Sequence, residues 1–407
     1  LRVAGIGGTP GSGDKDPGSP PVVTGAGQGC PGHSICGGRA RPRPRCNRKN
    51  IQYQINELNF LTQSAIQIAV KNRKEIALLT GIGQKGAMAE SVTDIGNALF
   101  YRRLNTALLA GYGGAALAAY LILPLLIHWH TSLWAWALLP LVLVSNGYWA
   151  TLHEAIHGQL LAGAPANRRA GRALAILWGS SFRLLRFGHL MHHRFNRHAL
   201  DRPDCYDPGR DRKAAARLRF YGEILGGLYL LELLTPLLYL LPRGLVESLV
   251  ARVYAGDEGA MPRLRQLAMQ TLAGAQGTAE IRRDALLAWG LILLAFWAWG
   301  AHWPLFALFL FGRGLMVSVT DNVYHYATPL DRVDFAYNLR LPRPLQALFL
   351  NMNMHRVHHR HMQAPWWQLP HFFAADRDGY DASFMQGLAR QARGPVPAAL
   401  SQLDTPA

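Results

Sequence analysis

His189-Leu190-Met191-His192-His193-Arg194-Phe195-Asn196 sets three imidazoles at H-x-x-H-H spacing. The same spacing returns at His355, His358 and His359, and an H-x-x-x-H pair, His153 and His157, precedes both. Residues three and four apart share a helix face, so each cluster is expected to aim its imidazoles at a common point. Neutral imidazole ligates iron, zinc, copper or nickel, and eight such donors exceed what one ion takes. Two metal ions are therefore expected.

Outward from the clusters the chain is strongly apolar. Half of its 407 residues are hydrophobic, and they are bunched into runs at 105–127, 132–150, 221–241, 285–300 and 304–319. Each run approaches the length that a bilayer core requires. No secretory signal precedes them, so the first run is expected to direct the chain to the membrane.

The formal charge of +17 is informative through its distribution. Segments 128–131 and 301–303 contain no Lys or Arg, whereas 151–219 and 243–283 are rich in Arg. By the positive-inside rule the two tight connections lie outside and all three clusters lie in the cytoplasm. If 221–241 crossed the membrane, the third cluster would be carried to the wrong side, so this run is expected to be in-plane or re-entrant. The fold expected is an all-α integral membrane protein: four transmembrane helices in two hairpins, in-plane helices and a cytoplasmic histidine-box cap. Because the basic residues border spans instead of forming a stripe, nucleic acid is not an expected partner.

Residues 1–87 read as a disordered leader, with Gly and Pro abundant over 1–46 and the alternation Arg41-Pro42-Arg43-Pro44-Arg45. Cys30, Cys36 and Cys46 match no common zinc or disulfide spacing. Met88-Ala89-Glu90-Ser91 resembles a start site, and the leader is expected to lie upstream of it. The catalytic domain is expected over 88–375, followed by a tail, 376–407.

Other histidines are expected to do less. His128, His130 and His302 fall at the outer hairpin tips and read as packing or interface residues, while His198 and His361 lie near the clusters but off their spacing. His153-Glu154-Ala155-Ile156-His157 also satisfies H-E-x-x-H, in which two His bind zinc and Glu activates water for proteolysis. That membrane metalloprotease reading leaves both H-x-x-H-H clusters unexplained. In a two-metal site Glu154 would instead orient an imidazole. A non-enzymatic metal-binding or transport protein would need a polar path through the spans, and the spans are nearly free of charge.

The three clusters together resemble the signature of the membrane fatty acid desaturase and hydroxylase superfamily, closest to its bacterial acyl desaturases. The likeness includes His153 to Gly158, Asp201-Arg202-Pro203-Asp204 after the second box, and Pro365-Trp366-Trp367-Gln368-Leu369-Pro370 after the third. It covers roughly 98–373. The resemblance implies a non-haem di-iron centre that uses O₂ and two electrons to attack an unactivated C–H bond of a lipid chain. It further implies a ninth ligand after the last span, where Asp321-Asn322-Val323-Tyr324-His325 supplies His325 on a helix with a neighbouring acid and amide.

Two ferrous ions held by neutral imidazoles would need acids nearby. Asp201, Asp204, Asp207 and Asp321 are the candidates to hydrogen-bond the outer ring nitrogens, with Asn322 beside them. No haem-binding segment, iron–sulfur cysteine set or Gly-rich dinucleotide fingerprint occurs, so an external ferredoxin, rubredoxin or cytochrome donor is expected. The basic face would steer a small acidic partner. The expected function is O₂-dependent desaturation of an acyl chain in a bacterial inner membrane. The alternative is a carotenoid or other lipid hydroxylase or ketolase, which the Pro-Trp-Trp-Gln-Leu-Pro ending also resembles. Trp366 and Trp367 would equally serve as interface anchors.

Overall fold

The computed structural model describes residues 84–256 and 259–398, with side chains from Ala98 onward. The leader expected over 1–87 therefore lies almost wholly outside the described residues. The chain divides into two units, one of them 3–95, described only as helical backbone from Gln84, and the other running from Gly96 to the C-terminus. All that follows concerns the second.

This unit is an all-α membrane protein. Three helical stretches are long and apolar enough to cross a bilayer, Ala98–Trp129, Lys213–Leu240 and Ala275–Val323, and a fourth arises if the pair Ser132–Leu143 and Ser145–His157, bent by 49°, is one span. The first stretch and the bent pair form an antiparallel hairpin. Asn105 donates to the Leu160 carbonyl at 3.1 Å, the Tyr112 and Tyr148 rings meet at 5.9 Å, and the chain turns at His130 and Thr131, whose N–H groups both reach the Leu126 carbonyl.

Ala275–Val323 is itself a hairpin. Gly300, at φ 49° and ψ −124°, adopts a conformation closed to residues with a Cβ and ends the helix Ala275–Trp299. A 3₁₀ turn, Gly300–His302, leads into Trp303–Val323, and Phe296 packs back on Phe306 at 5.0 Å. Both tips lie together, His128 against His302 at 5.4 Å, and Trp299 donates to the Ala119 carbonyl at 3.1 Å. Both open ends, which carry or adjoin the histidine boxes, consequently share the opposite side.

The run expected to be in-plane or re-entrant meets the length and polarity of a span but is not one helix. It breaks at Leu225 and Gly226, the latter at φ 111°, into Lys213–Gly222 and Leu228–Leu234, and then tightens into a 3₁₀ turn, Thr235–Leu240, at Pro236. Neither helical piece approaches the roughly 20 residues a span needs. Its contacts run from the open end of the second hairpin to about its middle. The Leu233 carbonyl accepts from Trp289, the carbonyls of Tyr239 and Leu241 accept from Arg282, and Gly226 lies beside Gly314. The segment thus enters about half the depth of the bundle and turns back.

Arg243–Val253 and Met261–Ala268 follow as short amphipathic helices. Val246 and Val250 on one, and Met261, Leu264 and Ala268 on the other, bury one face each in a core shared with Phe187, Tyr239 and Leu272.

The near absence of charge in the spans has one exception: Arg313, inside Trp303–Val323, is buried among the rings of Phe309, Trp178 and Tyr148, with its guanidinium carbon 4.7, 5.1 and 5.4 Å from their centres. Three aromatic faces supply the attraction that a carboxylate would otherwise give. The segment expected as a tail is folded over 376–398. Ala382–Ser383 pairs in parallel with Leu339–Arg340, Val396–Pro397 pairs with Cys205–Tyr206, and Asp378 and Asp381 both bind Arg356 inside the third box.

Candidate metal centre

Three elements and one turn bring the nine expected histidines together. Ser145–His157 presents His153 and His157 one turn apart and is closed by Gly158 at φ 87°. Phe182–Phe195 carries His189, His192 and His193, and the six-residue helix His355–Arg360 carries the third box. His325 is not on a helix, as expected, but two residues past the end of Trp303–Val323. It sits in a turn, where its N–H reaches the Asn322 carbonyl at 3.0 Å and its own carbonyl accepts from Thr328 Oγ1 at 2.9 Å.

The imidazoles fall into two groups. His153, His157, His189, His193 and His358 form one, and His192, His325, His355 and His359 the other, with the candidate ligand atoms of each group within 4.8 Å of one another. The expectation that each box points to one place is therefore corrected for the second and third boxes, which are both divided. Adjacent helical residues diverge by about 100°, so His192 and His193 face different groups, as do His358 and His359, while i and i+4 stay together. The groups adjoin, with the His193 and His359 rings 4.3 Å apart.

Within the first group Nε2 of His189 lies 2.9 Å from Nε2 of both His157 and His193, and His193 lies 2.9 Å from His358. In the second, Nε2 of His325 lies 3.1 Å from His192 and 3.0 Å from His355, and His192 lies 3.2 Å from His359. A neutral ring nitrogen carries either one proton or one lone pair, so a nitrogen facing two others cannot serve both by hydrogen bonding. Bonds of about 2.1 Å to a shared ion, meeting at right angles, put imidazole nitrogens about 3.0 Å apart. Among the described residues, buried His153 has no hydrogen-bond partner for either ring nitrogen, which no satisfied packing histidine would show. The donor set fits two metal ions, one per group.

The electrostatics favour the ligating form. Burial, together with the proximity of other imidazoles, lowers the pKa values of His189, His193, His325, His358 and His359 well below the usual histidine range and takes His355 to about 3. His192 differs. Burial lowers its pKa, but the Asp201 carboxylate, which accepts from its Nδ1 at 2.7 Å, outweighs this and raises it. That bond fixes the His192 proton on Nδ1 and leaves the Nε2 lone pair facing its group.

The remaining acids behave otherwise than expected. Asp204 touches no imidazole: it binds Arg197 through both oxygens, at 2.6 and 3.0 Å, and accepts from the Ala327 N–H at 2.6 Å. Asp207 caps an exposed turn by accepting from Gly209 N–H at 2.8 Å, because the chain has left the site by then. Asn322 donates to Gln391 Oε1 at 2.8 Å instead of meeting a ring. Glu154 accepts from the Trp366 N–H at 3.2 Å, tying the first box to the loop after the third. Trp366 is thus a buried strut and no interface anchor, its indole N–H donating to Asn105 at 3.0 Å, while Trp367 stacks on Tyr101 at 4.7 Å. Asp321 lines the cavity described next, and no hydrogen bond reaches it among the described residues. His361 pairs with Asp376 at 2.8 Å, and His198 lines the same cavity.

Sequence reasoning missed two residues. Tyr324 stacks on His355 at 4.6 Å, and its position beside His325 was the available signal. Asn338 accepts from the N–H groups of Arg356 and Val357 and so holds the start of the third box; nothing in its neighbourhood advertised this.

A cavity of about 370 Å³ reaches the centre at His189, His192 and Asp321. Leu184, Phe187, Leu231, Leu238 and Val250 are among its walls, so it lies between the second-box helix, the re-entrant segment and the amphipathic helices.

The pattern of the fatty acid desaturase family matches residues 127–386, more than half of the chain and all nine histidines. The chain belongs to the fatty acid desaturase family. No curated protein and no solved structure matches it. For a fatty acid desaturase family member, oxidoreductase activity follows, as does attachment to the membrane, and the two histidine groups supply sites able to hold its metal.

Proposed function

We propose that this chain is an O₂-dependent lipid desaturase acting on an acyl chain, with two ferrous ions held by the two histidine groups. The observation that carries this reading is the apolar cavity of about 370 Å³ ending at His189 and His192, a volume within the range of small-molecule sites. Iron bound there would supply O₂ activation and the oxidising power to remove hydrogen from a methylene group. The chain's own part is to present the methylene and keep water out. Leu184, Leu231 and Val250 line the cavity with groups that offer bulk water no hydrogen bond. Asp201 holds the His192 proton at Nδ1, and the lowered pKa values of the neighbouring imidazoles keep them neutral near pH 7.

The reading extends to an external electron donor of the ferredoxin, rubredoxin or cytochrome type and to a bacterial inner membrane with the boxes cytoplasmic. Supporting it are the Arg-rich segments on the side of the open hairpin ends and the Lys- and Arg-free tips.

Expression in a host lacking the activity, followed by lipid mass spectrometry, tests the proposal. New double bonds in acyl chains, absent with His355→Ala, are expected, along with about two irons per chain in purified protein. Hydroxylated or ketolated lipids would replace desaturation by the oxygen-inserting alternative. Zinc in place of iron, at about one per chain, would sink the reading.

A further inference from the structure

The cavity wall is mostly apolar; Asp201, Asp321 and His198 line it beside the histidine groups, and Glu232 adds a carboxyl on the re-entrant segment. Glu232 belongs to the re-entrant helix Leu228–Leu234 and lines the cavity between Leu231 and Thr235. Its Oε2 accepts from the indole N–H of Trp178 at 2.8 Å, and Trp178 is fully buried. Its backbone carbonyl accepts from Ser180 Oγ at 2.8 Å, which fixes the residue at both ends. No hydrogen bond reaches Oε1 among the described residues, although the side chain is half-buried and faces the cavity.

A carboxyl group among apolar walls costs several kcal/mol unless its oxygens are hydrogen-bonded. A plain hydrocarbon segment lying against Glu232 would displace any water there and leave Oε1 without a partner. A chain carrying a hydroxyl at that level would restore the bond. We infer that Glu232 is a specificity-determining residue that recognises a hydroxyl group on the lipid chain, so that the substrate class is a hydroxylated long-chain lipid. This rests on the cavity being the substrate site. The same wall explains how position would be set, since a hydroxyl bonded to Glu232 fixes which methylene lies at His189 and His192.

The test uses the purified full chain and competition for bound tritiated stearate by unlabelled stearate and by the series of monohydroxystearates. One narrow range of hydroxyl positions is expected to compete about tenfold better than stearate, the worth of one enclosed hydrogen bond. Glu232→Leu is expected to erase that preference while stearate binds as well or better, and Glu232→Gln to keep part of it. Iron content measured on each variant shows that the fold has survived. A flat series with tight stearate binding would overturn this inference and leave the cavity reading standing, as would a preference that persists in Glu232→Leu. Failure of stearate and every hydroxystearate to bind would remove the cavity as substrate site, and this inference with it.

Discussion

Asp204 shows how a residue can serve the centre without touching an imidazole. Its partner Arg197 sits at φ 66°, just after the second-box helix, and Ala327 sits at φ 58°, just after His325. Left-handed backbone at a residue with a Cβ costs about 1–3 kcal/mol, so both turns need outside support. Asp204 bonds the side chain of one and the backbone of the other, and the Arg197 and Asp204 side chains are both fully buried. Asp204→Ala is expected to destabilise the protein by about 3–5 kcal/mol, since it strands a buried guanidinium. Denaturant unfolding in detergent checks this, and iron content should fall with it. Histidine ionisation gives a second expectation at this scale. Most of the box imidazoles outside the spans have folded pKa values depressed below the unfolded value of about 6.5, so the unfolded state binds more protons on acidification. Their contribution is full above pH ~6.5 and is lost as pH falls towards the folded values, about 3 for His355. Melting temperatures of metal-free protein between pH 8 and 5 should therefore drop on the acid side, His192 opposing the trend through Asp201.

At the scale of elements, two glycines set how the site is built. Gly171, in the helix Ala164–Trp178, would place a Cβ 2.4 Å from the Phe182 ring and 3.0 Å from Ala155 Cβ. The helix Ala164–Trp178 is wedged there against side chains of both box helices, Ala155 of the first and Phe182 of the second. Gly171→Ala is expected to cost about 1–3 kcal/mol and to lower activity more than its stability cost alone, because Phe182 begins the helix bearing His189. Parallel thermal unfolding and lipid-product assays decide it. Gly226 acts through its backbone: there is room for a Cβ, with the nearest atom at 3.7 Å, but φ is 111°. Gly226→Ala should cost about 1–3 kcal/mol by straining the break in the re-entrant segment. That break was hidden in the sequence, where 221–241 reads as a continuous apolar run. Its in-plane or re-entrant character was still reachable, through the parity of basic segments.

At the scale of the molecule, the two hairpin tips share one side and the histidine boxes the other. With an external tip, His130→Cys should react with a membrane-impermeant maleimide in intact cells, and Arg194→Cys only after permeabilisation. The reverse pattern would invert the orientation. The apolar runs, the identity of all nine clustered histidines, including His325 through the resemblance, and the pairing of runs into hairpins were legible in the order of residues alone. These are local properties: a 3.6-residue period, the length of a bilayer crossing and the cost of moving charge across it. Tertiary structure alone decided how the second and third boxes are divided between two groups. Adjacent helical residues point about 100° apart, and which direction meets which neighbour depends on packing across 165 residues of chain in the case of His193 and His358. It also decided that Asp201 supports an imidazole whereas Asp204 supports the backbone. Acids three residues apart in a loop carry no signal of which one faces a ring nitrogen.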